Sequence, residues 1–200
     1  MSGKHSVPRR ATALLVAALP ILACAAAVAA DPAAGRTKAQ VCNACHGTGG
    51  NSVNPDIPSL AGQPPQFIVT QLVMFREGNR KDPQMSAFAA NLANADINDL
   101  AAHFSTQPPA APTRITAPDN AAAGRRLAEQ NHCVSCHGAA LTGQQHIPRL
   151  AGQQLPYLRA QLRGFRAGTR FDMDGNMSAA AQALSDADIE ILADYLSGLK

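Results

Sequence analysis

CNACHG at residues 42–47 and CVSCHG at residues 133–138 are two copies of one short motif, and the sequence around them repeats as well. IPSLAGQ at 57–63 returns as IPRLAGQ at 147–153. Gln71-Leu72, Phe75-Arg76, Gly78 and Arg80 return as Gln161-Leu162, Phe165-Arg166, Gly168 and Arg170, and Met85-Ser86-Ala87 returns as Met177-Ser178-Ala179. The order is the same in both halves at an offset of about 91 residues, the mark of a duplicated domain. Between the copies, STQPPAAPTRITAPDN from Ser105 to Asn120 is proline-rich and almost free of bulky apolar residues, and it reads as an extended linker.

Within each copy the apolar period is helical. Ile97, Leu100, Ala101 and Phe104, like Ile189, Leu192, Ala193 and Leu196, fall at i, i+3, i+4 and i+7. Ser185 reads as the N-cap of the last helix, with Asp186 and Asp188 in its first turn. Further helices are expected over Pro65–Glu77 and Leu155–Ala167, and one leading into each CxxCH. No stretch alternates as a strand, so the fold class is all-α. Copies this small, poor in aromatics and lacking tryptophan, bury little apolar surface and call for a staple.

The N-terminus reads as an export signal. Lys4, Arg9 and Arg10 precede an Ala/Leu/Val run broken by Pro20, and the small residues before Asp31 place cleavage after Ala30. A retained membrane anchor is the competing reading, although the run is barely of spanning length. Ile21-Leu22-Ala23-Cys24 also resembles a lipobox, which would put a lipid, and a membrane association, on Cys24. The expected division is 1–30 signal peptide, 31–105 first domain, 106–120 linker and 121–200 second domain. Lys4, Arg9 and Arg10 account for the formal net charge of +3, so residues 31–200 are neutral and the pI near 8.7 gives no argument for nucleic acid as a partner.

Cys-x-x-Cys-His is the attachment signature of c-type haem. Two thiols one helical turn apart reach the two vinyl groups of one porphyrin, and the next imidazole meets the iron. Cys42, Cys45 and His46 are assigned to one haem and Cys133, Cys136 and His137 to another. Paired zinc half-sites are spaced roughly 15–20 residues apart, far closer than these pairs, and a redox dithiol expects a βαβ context that is missing.

The sixth ligand separates a carrier from an open catalytic iron. Met85 and Met177 follow their histidines at nearly the same interval, each before Ser-Ala. A thioether opposite histidine raises the potential and closes the iron to substrates, which points to electron transfer rather than an enzyme. Met173 is the rival in the second copy, and Met74 is explained by packing. His132 is read as a surface or propionate-facing residue, and His103 and His146 as exposed or satisfied ones. The Pro58 and Pro148 carbonyls are candidates to accept the proximal imidazole protons. Arg159, Arg163, Arg166 and Arg170 are candidates for propionate pairing, a docking patch or a solvated helix face.

This order of motifs, present twice over residues 31–200, resembles the cytochrome c4 family. The resemblance implies two tandem class I cytochrome c domains with His/Met haems and propionate edges facing each other. It also implies a periplasmic carrier that takes electrons from a respiratory-chain donor and passes them to a terminal oxidase. A cytochrome subunit of a dehydrogenase complex, flavocytochrome-like, is the alternative, and a dihaem redox enzyme is a weaker one.

Overall fold

The computed structural model describes Ser2, Gly3, residues 29–112 and residues 114–200. Most of the segment read as an export signal, Cys24 included, lies outside the described residues. Among the described residues every extended element is helical, and the only β pairing is an isolated bridge between Gln144 and Ile147. The first half contains α1 (Pro32–Lys38), α2 (Gln40–His46), α3 (Pro65–Arg76), α4 (Pro83–Ala89) and α5 (Asn94–Ser105), with a 3-10 turn at Thr48–Gly50. The second contains α6 (Pro118–Gln130), α7 (Cys133–His137), α8 (Leu155–Arg166), α9 (Asn176–Gln182) and α10 (Asp186–Ser197).

Two boundaries differ from the sequence reading. The helix expected to lead into each CxxCH is interrupted: Ala39 separates α1 from α2, and His132, in the left-handed region at φ 56°, separates α6 from α7. The motif therefore forms its own short helix in each half. The segment read as linker through Asn120 ends earlier, because α6 begins at Pro118. Proline suits that position: its missing N–H would have no partner in the first turn, and its φ is already helical.

The halves are built alike. The first helix packs on the last, α1 on α5 and α6 on α10, and the middle helices α3 and α8 pack on the same last helices. The first crossing is close because a glycine sits at it. A Cβ on Gly35 would lie 2.0 Å from the Asp99 carbonyl oxygen, and one on Gly124 would lie 2.2 Å from Cβ of Tyr195. The predicted stripes are the core: Ile97, Leu100, Ala101 and Phe104 are buried, as are Ile189, Leu192, Ala193 and Leu196. Each large side chain among them contributes about 1.5–3 kcal/mol by burial. Ser185 and Asp188 form the expected capping box at the start of α10.

Polar latches complete each helix pair. The Asp99 carboxylate accepts from the Asp31 N–H at 2.8 Å and from Lys38 Nζ at 2.6 Å. These bonds, the backbone one first, hold Asp99 below the usual carboxylate range. On the other half, Asp194 receives Arg114 Nε at 2.8 Å and Asn120 Nδ2 at 2.9 Å. Arg114 belongs to the proline-rich connection, whose other end is held by Asn51: its Nδ2 donates to the Pro108 carbonyl and its Oδ1 accepts the Ala110 N–H. The connection is thus bonded to both halves.

Candidate haem sites

The last helices also fix the loops that face the histidines. The Gly62 N–H donates to the Phe104 carbonyl at the end of α5, and the Gly152 N–H donates to Leu196 near the end of α10. One turn back, Leu60 and Ala61 both donate to the Gly50 carbonyl, and Leu150 and Ala151 both donate to Leu141. These bonds set the carbonyls of Pro58 and Pro148 opposite the imidazoles. His46 Nδ1 lies 2.8 Å from the Pro58 oxygen, and His137 Nδ1 lies 2.8 Å from the Pro148 oxygen. A carbonyl can only accept, so each Nδ1 carries the proton and donates it.

Two consequences follow for chemistry. With Nδ1 engaged, Nε2 is the nitrogen left to bind a metal, and its orientation is fixed by the bond behind it. Both rings are buried, and burial holds both imidazoles below their ordinary pKa. They are therefore neutral at pH 7, the form that ligates. Cys42 and Cys133 are half-buried and Cys45 and Cys136 exposed, and none of the four forms a disulfide. Burial raises the thiol pKa of Cys42 and Cys133. The second cysteine of each motif faces solvent and the first faces the core, where Cys42 and Cys133 pack against the buried clusters.

In the second half, Cys133, Cys136, His137 and Met177 all line one cleft, which Met173 also borders. Leu158, Leu162, Phe165, Leu184, Leu192 and Leu196 give it apolar surface, and Pro58, Leu60, Phe67 and Met74 of the first half border it too. An apolar slot with an imidazole and a thioether in its walls fits a porphyrin. It does not fit a bare ion: among the described residues no three His, Cys, Asp or Glu converge as a metal cage. Half-buried Arg170 also lines the slot, and its buried Nε has no hydrogen-bond partner. Burial, with Arg80 close by, lowers its pKa to about 10. Arg80 Nη2 donates to Gln161 Oε1 at 3.2 Å, and Arg170 Nη1 donates to the same oxygen. Two guanidiniums converging on one neutral amide suit the carboxylate edge of such a group.

Both methionines sit in the first turn of a short helix and are half-buried, Met85 in α4 and Met177 in α9. An aspartate pins each backbone. The Met85 N–H donates to Asp82 Oδ1 and the Met177 N–H to Asp172 Oδ2, both at 2.9 Å. Burial opposes ionisation of Asp172, but its hydrogen bonds together, those from the amides of Met177 and Ser178 first, hold the carboxyl below its usual range. Met173 is 72% exposed, a poor position for a buried ligand.

The remaining candidates are distributed as follows. His132 is exposed, and His103 is buried against Phe104 with Gln107 beside its ring. His146 lies 3.6 Å from Asp174. Arg159 and Arg163 both pair with Glu190, and Arg166 pairs with Asp186. These three are thus engaged within their own half, and only Arg170 turns to the slot. Asp82, Asp172 and Arg80 were not singled out from sequence. Recurrence of Arg80 as Arg170 was the available signal. The aspartates gave none, since Asp82 stands three residues before its methionine and Asp172 five.

Comparison with known proteins agrees with this geometry. Residues 121–200 match the family model described as cytochrome c, and residues 29–104 match that of cytochrome C oxidase, cbb3-type, subunit III. Cytochrome c4 of Thiocapsa roseopersicina is 40% identical over 181 residues, covering 84% of this chain and 93% of that protein. A thiosulfate dehydrogenase electron acceptor of Thiomonas intermedia is 35% identical over 183 residues, covering 86% of this chain and 84% of that protein. The crystal structure of reduced recombinant cytochrome c4 from Pseudomonas stutzeri superposes with a TM-score of 0.80 at 33% identity, covering 86% of this chain and all of that one. The chain carries two covalently bound haem c groups and is an electron carrier, not an enzyme. It belongs to the cytochrome c4 family.

Proposed function

We propose that the protein is a periplasmic relay that accepts electrons from a respiratory-chain donor and delivers them to a terminal oxidase, with His46/Met85 and His137/Met177 as the axial ligand pairs. The observation that carries the reading is the second slot, where His137 and Met177 line one apolar cleft with both attachment cysteines. Bound haem supplies a one-electron Fe(II)/Fe(III) couple. His46 and His137 offer Nε2, oriented by the Pro58 and Pro148 carbonyls. Met85 and Met177 offer soft thioethers that would bind the iron and favour its reduced state. Asp82 and Asp172 hold the methionine backbones in place in either oxidation state, which keeps reorganisation small. Residues 31–105 and 118–200 act as the two domains, joined by 106–117.

Export across the inner membrane fits covalent haem attachment. Lipidation of Cys24 would add a tether. Among the described residues no helix is long and apolar enough to cross a membrane.

A second reading, service to a dehydrogenase, is favoured by the likeness to the Thiomonas intermedia acceptor. The test is to follow haem redox state on mixing with each partner. Rapid oxidation of the reduced protein by oxidase-containing membranes supports the first reading. Rapid reduction by thiosulfate dehydrogenase with thiosulfate, and no oxidation by those membranes, supports the second.

A further inference from the structure

Gln63 and Gln153 stand at equivalent positions of the two repeats, both are buried, and each side chain bonds to the opposite domain. Gln153 Oε1 accepts the Ser59 N–H at 2.8 Å, and its Nε2 donates to the Ser59 carbonyl at 2.9 Å. Gln63 does the same to Arg149, with both distances 3.0 Å. Ser59 follows Pro58 and Arg149 follows Pro148. The Pro58–Ser59 peptide group therefore accepts the His46 proton through its oxygen and donates to Gln153 through its nitrogen. The Pro148–Arg149 peptide group stands in the same relation to His137 and Gln63.

An amide is a conjugated unit, so an acceptor at its N–H makes its carbonyl a stronger acceptor in turn. A stronger acceptor behind Nδ1 makes the imidazole a better donor through Nε2. We propose that Gln63 and Gln153 are positioning residues that act across the domain interface: Gln153 sets the donor strength of His46, and Gln63 sets that of His137. Each haem is then tuned by the domain that does not hold it. The inference rests on His46 and His137 being the iron ligands. A neighbouring bond supplies the control. Gln154 Nε2 donates to the Ser52 carbonyl at 2.6 Å, crossing the same interface without a histidine at its end.

The test is a redox titration of the holoprotein followed by the hyperfine-shifted haem methyl signals in NMR, assigned to each domain through their contacts with that domain's side chains. Gln153→Met should raise the potential of the N-terminal haem alone, changing its reduced-to-oxidised ratio at fixed potential roughly three- to tenfold. Gln63→Met should do this to the C-terminal haem alone, and Gln154→Met to neither. Gln153→Glu keeps an oxygen facing the Ser59 N–H in either protonation state, so the N-terminal potential should not rise. That variant carries the test if the methionine variants fail to accumulate. Equal shifts of both haems, a shift confined to the substituted domain, or a rise in Gln153→Glu would overturn the proposal. A ferric spectrum of the unsubstituted protein without His/Met low-spin features would instead overturn the ligand assignment beneath it.

Discussion

Gly124→Ala sets two opposing effects against each other at the α6/α10 crossing. Alanine gains about 1 kcal/mol over glycine in a helix interior. Its Cβ, however, would lie 2.2 Å from Cβ of Tyr195 and 2.6 Å from Cγ. Those atoms are the root of a side chain on α10, so no rotamer change removes the overlap and the helices must part. Overpacking of this kind costs about 1–3 kcal/mol, and an overlap with so rigid a neighbour belongs at the upper end. The net expectation is a loss of about 2 kcal/mol, which lowers the melting midpoint of a domain this size by about 8–16 °C. Gly164→Ala is the control. Its Cβ would meet Arg170 Cβ at 3.3 Å and Thr169 Oγ1 at 3.5 Å, so propensity and crowding nearly cancel, and stability should stay within about 1 kcal/mol of the parent. Denaturant unfolding of the holoprotein, read by helical circular dichroism, measures both. A Gly124→Ala protein at least as stable as the parent would refute the close crossing.

Met177→Ala should make only the second haem reactive to carbon monoxide, while Met173→Ala leaves the optical spectrum unchanged; the reverse pattern identifies Met173 as the ligand. Asp172→Ala removes the acceptor that caps α9, at a cost of about 1 kcal/mol, and should loosen the second haem's methionine ligation first, seen as a faster ligand-exchange rate there. For Asp99, the folded-state pKa lies below the ordinary carboxylate value, so its latch contributes fully above that ordinary value and is lost as pH falls through the depressed one. Asp99→Asn should therefore be less stable than the parent at pH 7, with the difference closing in acid; a constant difference across the acid range would refute the latch.

What could be read from sequence was whatever is local or repeated. The i, i+3, i+4, i+7 stripes of α5 and α10 encode burial within a few residues, and all eight positions are buried. Ser185 and Asp188 signal a cap in the same local way. The Pro58 and Pro148 carbonyls were legible because the motif recurs at nearly the same distance from CxxCH, 12 residues after His46 and 11 after His137. Contacts between the halves were not. Gln63 was visible only as the last letter of a repeated LAGQ, and its partner Arg149 lies in the other domain. The α9 cap shows why alignment alone misleads: Asp174, three residues before Met177 as Asp82 is before Met85, faces His146, and Asp172 takes its place. The left-handed His132 that ends α6 leaves no apolar period to betray it, since it breaks a helix without changing which face is buried.

Two haems per chain, each closed by histidine and methionine, make the protein a carrier and not an open catalytic iron. Haem quantitation combined with the ferric optical spectrum before and after carbon monoxide is added to the reduced protein tests that closure most directly. Two haems per chain, methionine-to-iron charge-transfer absorption accounting for both, and no carbon monoxide adduct are the predicted result. One haem per chain, or a high-spin or carbon-monoxide-binding iron in either domain, would contradict it.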